Sequence, residues 1–527
     1  MLIIRHLTYY YNSSIINFRC QYQLKIQIIR ESLMNAYQQL EQHFKKYYDF
    51  EHLASIVSWD EATMMPAGGG QARAEALATL SAVQHEWLTD KKVGELIKQA
   101  KDLQLSEWQQ RNVYWIEKQY QQATCIPVHL VEEFTNQSLI CVQAWRNLRA
   151  QNDWQSFKPY LKKLFAQVKT IAEIKSQLFA KSPFDIVIDE YSPDLDSKTI
   201  TPIFNVLKQE LPTLIPQIIE KQQSRSIKPI TGVFAAEKQK QLGMEIMSRL
   251  GFDFGHGRLD VSHHPFCGGM PTDVRITTRY RNHEFLSSLM AINHETGHGL
   301  YKQGLLPEWL AQPVGHALGM AVHESQSLFM EMQVCRSFEF MHYLVPLVKK
   351  YFNDAEHINA ENLYYHYTKV KPDFIRVDAD EVTYPLHIIL RYEIEQQLFA
   401  DDISIDDLPE VWNIYMQKYL GLSTKDNDQN GVMQDVHWPS GSFGYFPAYT
   451  FGALIAAQLF AAMKKEIPDI KKQIKQGEFN ALVQWLRKHI HQKARLLHYQ
   501  ELIHQATGEK LNPHYYLTHV KERYLLS

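Results

Sequence analysis

Two histidines four residues apart, His294 and His298, form the pattern in this chain that most clearly suggests chemistry. Apolar residues recur at helical spacing over residues 285–301, so both imidazoles project from one helix face about one turn apart. Two imidazoles in that arrangement can share one metal ion, and Glu295 is placed to hold a water on the ion and take its proton. The pattern therefore predicts a hydrolytic metal centre.

A second helical run, Gly319 to Phe338, offers a third ligand in Glu324, about 26 residues beyond His298. That separation leaves room for a turn and an antiparallel return of the chain. Two histidines and one glutamate, with the fourth position left to water, are typical of catalytic zinc. The alternatives are ordinary core or surface histidines and a solvated glutamate. The apolar neighbours of Glu324 favour a buried helix, where an unpaired carboxylate is costly.

The elements that must position these residues are mainly α-helices. From Met34 onward, apolar residues recur at helical spacing and strand-like alternation is scarce. Pro127 fits the first turn of one helix, and Asp153 fits the N-cap of another that ends near Ala180. Further helices are predicted over residues 71–87, 198–223 and 237–250.

One short strand is predicted over residues 273–280, where Val274, Ile276 and Thr278 alternate with polar residues. It follows a stretch rich in glycine and proline, residues 255–271, that is typical of a hairpin or loop. The strand leads directly into the helix of the two histidines. We therefore expect it beside the metal centre, where it could pair edge to edge with an extended substrate.

Composition indicates an ordinary globular protein. Of the 527 residues, 45% are hydrophobic and 21% are charged, so a core can form without disulfides. A net charge of −3 and the lack of a basic run predict neither a nucleic-acid partner nor a membrane partner. The five cysteines are scattered and odd in number, which indicates reduced thiols and a cytoplasmic protein. Length alone permits one large domain or two lobes.

Five segments together resemble the thermostable carboxypeptidase Taq family of metallocarboxypeptidases, peptidase family M32. They are Asp273 to Thr277 (DVRIT), His294 to His298 (HETGH), His323 to Gln326 (HESQ), Ile375 to Asp380 (IRVDAD) and Gly431 to Trp438 (GVMQDVHW). The resemblance extends over residues 34–527, which we expect to form a single catalytic domain. Residues 1–33 have no counterpart in the family and are interpreted as an N-terminal extension of unknown role.

The resemblance implies a mainly α, large zincin-like helical fold with a deep active-site groove. It also implies a short β-sheet next to the HExxH helix and assembly as a homodimer. One divalent metal ion per subunit is expected, held by His294, His298 and Glu324. Zinc is the first choice and cobalt also suits two imidazoles and a carboxylate. Glu295 would act as general base and then as general acid.

Family resemblance assigns further residues to the substrate. Arg376 would bind the free C-terminal carboxylate, because a guanidinium fork matches two carboxylate oxygens. The alternative for Arg376 is a salt bridge to Asp378 or Asp380. Arg275 is a second candidate for substrate binding, with support of the strand or of an interface as its alternative.

An oxyanion formed during hydrolysis needs a hydrogen-bond donor in addition to the metal. His437 and Tyr445 are the candidates for this catalytic role. Their alternatives are packing of His437 against Trp438 and a purely structural, buried Tyr445.

The expected function is metal-dependent removal of C-terminal residues from peptides. One alternative is a metal-dependent oligopeptidase or endopeptidase with the same ligands, which would not require the carboxylate site at Arg376. A second alternative is a non-catalytic zincin-like binding protein, in which Glu295 would have no chemical role.

Overall fold

The described part of the protein is mainly helical, as predicted. The computed structural model describes residues 34–526, so the extension predicted over residues 1–33 lies outside the described part. Ahead of the sheet lie α1 (Ala36–Thr63), α2 (Gly70–Leu88), α3 (Lys91–Lys101), α4 (Glu107–Thr124), α5 (Val128–Ala150), α6 (Trp154–Phe179), α7 (Pro183–Tyr191), α8 (Ser197–Gln222) and α9 (Ala236–Arg249).

The helices after the sheet form the second half of the chain. They are α10 (Leu286–Gln303), α11 (Gly319–Leu328), α12 (Phe338–Tyr351), α13 (Ala360–Tyr367), α14 (Tyr384–Phe399), α15 (Leu408–Leu420), α16 (Pro447–Glu466), α17 (Ile470–Gln476), α18 (Asn480–His489), α19 (Tyr499–Thr507) and α20 (His514–Lys521). Two π-helical stretches, Phe329–Cys335 and Glu522–Leu526, extend α11 and α20.

Local sequence signals explain where many of these helices begin. The Asp153 carboxylate accepts a hydrogen bond from the Ser156 backbone N–H at 3.0 Å and caps α6, which ends one residue before Ala180. Pro127 directly precedes α5. The helices predicted over residues 71–87, 198–223 and 237–250 correspond to α2, α8 and α9 and are confirmed to within one residue.

The three-stranded sheet has the order β1–β3–β2, with β1 (Gly257–Val261), β2 (Phe266–Met270) and β3 (Asp273–Thr278). β3 pairs in parallel with β1 and antiparallel with β2. The prediction of a strand from residue 273 is confirmed. Of the hairpin or loop predicted over residues 255–271, the hairpin is found, because β2 turns at residues 271 and 272 and pairs antiparallel with β3; the further strand β1 was not predicted. Since β3 is central, both of its edges are occupied, and edge pairing of β3 with a substrate is wrong.

Helices α10 and α11 run antiparallel, as predicted. Near the end of α10, the Tyr301 hydroxyl accepts a hydrogen bond from the Leu318 backbone N–H at the start of α11. Earlier on α10, the His294 ring contacts Glu331, which lies in the π-helical stretch after α11. The two elements that carry the proposed metal ligands are therefore neighbours at least from His294 to Tyr301.

The first helices have an apolar cluster of their own. Side chains of α1, α3 and α4 pack around Tyr37, Leu40, Phe44, Ile97 and Ile116. The sheet, the ligand-bearing helices and the C-terminal helices share a second, much larger apolar core. Within residues 34–526, no helix has both the length and the apolar character needed to cross a membrane.

Candidate metal centre and substrate cavity

His294, His298 and Glu324 meet at one point between α10 and α11. One potential ligand atom from each residue lies within 4.8 Å of the other two. Glu324 Oε2 is 3.9 Å from His294 Nε2 and 3.4 Å from His298 Nε2, so both rings direct Nε2 towards the carboxylate. His298 and Glu324 are buried, and the His294 side chain is 21% exposed. The three side chains predicted from sequence are thus brought together.

The remaining nitrogen of each ring has a partner behind the centre. His294 Nδ1 lies 2.7 Å from Glu331 Oε2, and His298 Nδ1 lies 2.6 Å from His323 Nδ1. Because a carboxylate accepts, His294 donates from Nδ1 to Glu331, and Nε2 is the atom it presents as a ligand. Two imidazoles and one carboxylate, supported in this way, fit a divalent metal ion.

A backbone contact sets the spacing of the two ligand helices. Gly297, between the two histidines, lies so close to α11 that a Cβ at this position would be 2.3 Å from the Gln326 carbonyl oxygen and 2.6 Å from the Ser327 Cα. A side chain at Gly297 would therefore push α10 and α11 apart. Glycine at this position lets Glu324 come within ligand distance of the histidines.

Glu295 lies beside the three candidate ligands and lines the same cavity. Glu295 is only 7% exposed. Burial raises the pKa of Glu295, and the nearby His294 and His298 offset that effect only in part. A carboxyl group with a raised pKa is suited to taking a proton and returning it near neutral pH.

The centre opens into a cavity of about 830 Å³, a volume typical of ligand sites. Besides the candidate ligands and Glu295, its wall is formed by residues from the sheet, from α11 and its π-helical extension, from the segment before α14 and from α16. Those residues include Phe266, Cys267, His323, Glu331, Arg336, Arg376, Val377, Glu381, Tyr384, Tyr445 and Tyr449.

Arg376 lines this cavity and is held from behind by Asp435. Its Nε and Nη2 donate to Asp435 Oδ1 at 2.9 and 2.8 Å, and its Nη1 donates to the Tyr384 hydroxyl. Arg391 donates to the other carboxylate oxygen. Burial raises the pKa of Asp435, but the two arginines outweigh burial and hold that pKa far below its usual value. Asp435 therefore stays ionised and fixes the Arg376 guanidinium.

The salt bridges considered for Arg376 from sequence proximity are not the ones formed. Asp380 instead accepts hydrogen bonds from the backbone N–H groups of Lys371, Val382 and Thr383, which closes the loop ahead of α14. Asp378 lines the cavity. Arg376 nevertheless forms an ion pair, with Asp435, and at the same time it lines the cavity.

Tyr445 and His437 have different positions relative to the cavity. Tyr445 lines it, whereas His437 lies behind Tyr449, with Nε2 3.1 Å from the Tyr449 hydroxyl. The His437 ring packs on Phe446 at 4.5 Å, not on Trp438. Burial lowers the pKa of His437 to about 3, so the ring is neutral at physiological pH. Tyr445, with Tyr449 beside it, is therefore the candidate donor that faces the cavity.

Arg275 does not line the cavity. Its Nε and Nη2 donate to the two oxygens of Asp273 at 2.8 and 2.9 Å, and its guanidinium lies 4.3 Å from the centre of the Trp59 ring. These contacts join β3 to α1. The structure therefore supports the alternative interpretation, in which Arg275 supports the strand.

Sequence reasoning missed the residues behind the centre. Glu331 follows Glu324 by seven residues, about two helical turns, so both face α10. That spacing was a usable signal. Asp435 belonged to a segment recognised by resemblance, but its role depends on a contact with Arg376 across 59 residues of sequence, which no local pattern indicates.

Comparisons with known proteins agree with this geometry. The sequence profile of the family described as carboxypeptidase Taq (M32) metallopeptidase matches residues 39–524. Thermostable carboxypeptidase 1 of Thermus thermophilus is 34% identical over 512 residues, which cover 93% of this chain and 98% of that protein.

Solved structures lead to the same family. Metallocarboxypeptidase 1 of Trypanosoma cruzi superposes with a TM-score of 0.91 at 38% identity, over 93% of this chain and 99% of that one. The M32 carboxypeptidase of Deinococcus radiodurans superposes with a TM-score of 0.89 at 32% identity, over 93% and 98%. The chain therefore belongs to the carboxypeptidase Taq (M32) family and is a metallocarboxypeptidase.

Proposed function

We propose that this metallocarboxypeptidase removes residues from the free C-terminus of peptides at a single centre held by His294, His298 and Glu324. The observation that carries the proposal is their convergence within 4.8 Å, in one cavity with Glu295 and Arg376. We propose zinc as the ion, because two imidazoles and a carboxylate are typical of catalytic zinc, and cobalt as the ion that would substitute for it.

When bound, the ion would supply Lewis acidity, polarising the scissile carbonyl and lowering the pKa of water. Glu295 would take the proton of the attacking water and later deliver it to the leaving amine. The burial of Glu295 supports this role, because a raised pKa lets the same carboxyl group hold the proton between the two steps.

Arg376 would bind the substrate's C-terminal carboxylate. Asp435 and Tyr384 occupy its Nε, one N–H of Nη2 and one of Nη1, which leaves one N–H on each terminal nitrogen for a ligand. A carboxylate that accepts those bonds would be fixed at a set distance from the centre. This recognition would select the last peptide bond, so it separates a carboxypeptidase from the endopeptidase alternative.

Tyr445 would donate to the oxyanion that forms as water attacks the carbonyl. His437 would act through Tyr449, whose hydroxyl it contacts, and so contribute to the position of the tyrosine pair. Among residues 34–526, β2 has no strand on its outer side, and Phe266 and Cys267 line the cavity. We propose β2, not β3, as the strand along which an extended substrate lies.

The proposal is tested with one peptide as its free acid and as its C-terminal amide, each incubated with protein that has been stripped of metal and then reloaded with zinc or cobalt. Mass spectrometry should record stepwise loss of C-terminal residues from the free acid alone, and only with metal. Internal cuts in both peptides would favour the endopeptidase. Loss of activity on His294→Gln or Glu324→Gln, with zinc no longer bound, would identify the ligands.

We further propose one catalytic domain over residues 34–527, a homodimer and a cytoplasmic location. The unpaired state of Cys125, Cys141, Cys267 and Cys335 supports a reducing compartment. Light scattering coupled to size-exclusion chromatography would measure the mass of the assembly, and a mass of one subunit would exclude the dimer.

A further inference from the structure

The chain that follows α11 changes its winding directly behind the candidate metal centre. Residues Phe329–Cys335 form a π-helical stretch, and the Arg336 backbone N–H donates to the Glu331 carbonyl oxygen, five residues earlier, at 2.9 Å. π-helical turns are rare and occur frequently at functional sites. Both Glu331 and Arg336 line the cavity.

This winding brings together two side chains that an α-helix would separate. Residues five apart on an α-helix point about 140° away from each other. The wider turn places Arg336 over Glu331 instead, and Arg336 Nη2 donates to Glu331 Oε1 at 2.5 Å. The other carboxylate oxygen, Oε2, accepts from His294 Nδ1 at 2.7 Å. One carboxylate thus joins the guanidinium to the candidate ligand.

The pair formed by Glu331 and Arg336 lies behind only one of the two histidines, His294. His294 has a carboxylate behind it, whereas His298 has the imidazole ring of His323. Both carboxylate oxygens of Glu331 are engaged, Oε1 by Arg336 and Oε2 by His294. Glu331 is therefore a fixed acceptor for the Nδ1–H of His294.

We propose that the π-helical stretch is a positioning device for the metal centre: Glu331 orients His294, and Arg336 holds Glu331 in place. This inference rests on the proposed ligand set. Neither residue is among the three clustered ligand residues, and both act through His294, so both are positioning residues. Carboxylates behind metal-bound histidines typically change metal affinity about 10- to 100-fold when they are removed.

The test measures zinc affinity without substrate, because Arg336 and Glu331 also line the cavity and would confuse an activity readout. Purified wild-type protein, Glu331→Gln and Arg336→Gln are titrated with Zn²⁺ in competition with a chromophoric chelator. The matched control is Glu393→Gln, which removes a carboxylate paired with Lys208 and Tyr419 outside the cavity. Thermal unfolding of each metal-free protein records the structural cost separately.

We expect Glu331→Gln to weaken zinc binding about 10- to 100-fold, Arg336→Gln to weaken it in the same direction, and Glu393→Gln to leave it unchanged. Zinc affinity of Glu331→Gln within twofold of wild type, with only the melting temperature lowered, would overturn the inference. If Glu331→Gln does not fold, Arg336→Lys, which keeps the charge, should bind zinc more tightly than Arg336→Gln; equal affinities would overturn it. Absence of tight zinc binding in the wild type would instead refute the proposed ligand set.

Discussion

Arg376 and Asp435 form a one-sided ion pair in which two guanidinium nitrogens donate to a single carboxylate oxygen, at 2.9 and 2.8 Å. The pair fixes the plane of the guanidinium before any substrate arrives. Preorganisation of this kind reduces the entropy lost when a ligand binds. Recognition of a peptide terminus here should depend on the shape of the Arg376 fork as well as on its charge.

Replacing Arg376 with lysine should therefore impair selection of the free C-terminus. The substitution keeps the charge and loses the fork. Hydrogen bonds to charged groups are worth about 1.5–3 kcal/mol, so KM for a free-acid peptide should rise roughly 10- to 100-fold, while its C-terminal amide stays uncleaved. Steady-state kinetics on the free-acid peptide measure KM in wild type and variant. An unchanged KM at full zinc content would place carboxylate recognition elsewhere.

Glu295→Gln should retain zinc and lose hydrolysis. Glu295 is not one of the three clustered ligand residues, so metal content should stay at one ion per subunit. Without a base, kcat should fall roughly 10²- to 10⁴-fold. Metal analysis by mass spectrometry and single-turnover kinetics provide the two readouts. The exposed Glu308→Gln serves as control, and a loss of less than tenfold in Glu295→Gln would assign the base to another group.

Tyr445→Phe should lower kcat more than His437→Gln does. Tyr445 lines the cavity, whereas His437 reaches it only through Tyr449. Loss of one donor to an oxyanion costs roughly 10²- to 10³-fold in kcat, with a small change in KM. Comparing kcat for Tyr445→Phe, Tyr449→Phe and His437→Gln ranks the three. The opposite order would make His437 the direct donor.

Glu381 should control stability in acid. Its buried carboxylate accepts from Arg523 at 2.8 Å and from Tyr524 at 2.9 Å, and also from His519. Burial raises the pKa of Glu381, but Arg523 and His519 outweigh burial and hold it far below its usual value. The unfolded chain then binds this proton first as pH falls. The stabilisation is complete above the unfolded pKa of about 4.3 and is lost progressively below it.

Glu381→Gln should accordingly lower the free energy of unfolding by about 3–5 kcal/mol at neutral pH, because it breaks a buried ion pair. The same variant should show a shallower loss of stability between about pH 5 and pH 2, since one titrating group is gone. Urea unfolding at several pH values tests both effects. Parallel curves for wild type and variant would assign acid sensitivity to other carboxylates.

Helices were predictable because their signals are local. Asp153 caps α6 through a residue three positions away, and the spacing of His294 and His298 depends only on helical geometry. The sheet was harder to predict. β2 contains Gly268 and Gly269, which weaken a strand pattern, and it is a strand because it pairs with β3.

The site residues also divide into those that local sequence signals predict and those that depend on contacts between distant parts of the chain. His294, His298 and Glu295 share one helical motif, and Glu324 lies on a second helical run that was expected to return antiparallel, so the sequence was sufficient to predict that these side chains meet. The partner of Arg376 did not follow, because the chain turns at Arg376–Asp378 in a 3₁₀-helix and directs the guanidinium to Asp435 instead of its acidic neighbours. The contact between Glu331 and Arg336 depends on π-helical winding, which the sequence pattern did not reveal.

The close approach at Gly297 limits how far this protein can vary. The HExxH pattern allows any residue at its two middle positions, which are Thr296 and Gly297 in this chain. The structure allows only glycine at position 297, because even a methyl group there would lie 2.3 Å from the Gln326 carbonyl oxygen. A saturation library at the two positions should therefore recover catalysts that differ at Thr296 but keep Gly297. Transplanting the histidine pair into another scaffold would require transplanting that glycine and the helix opposite it.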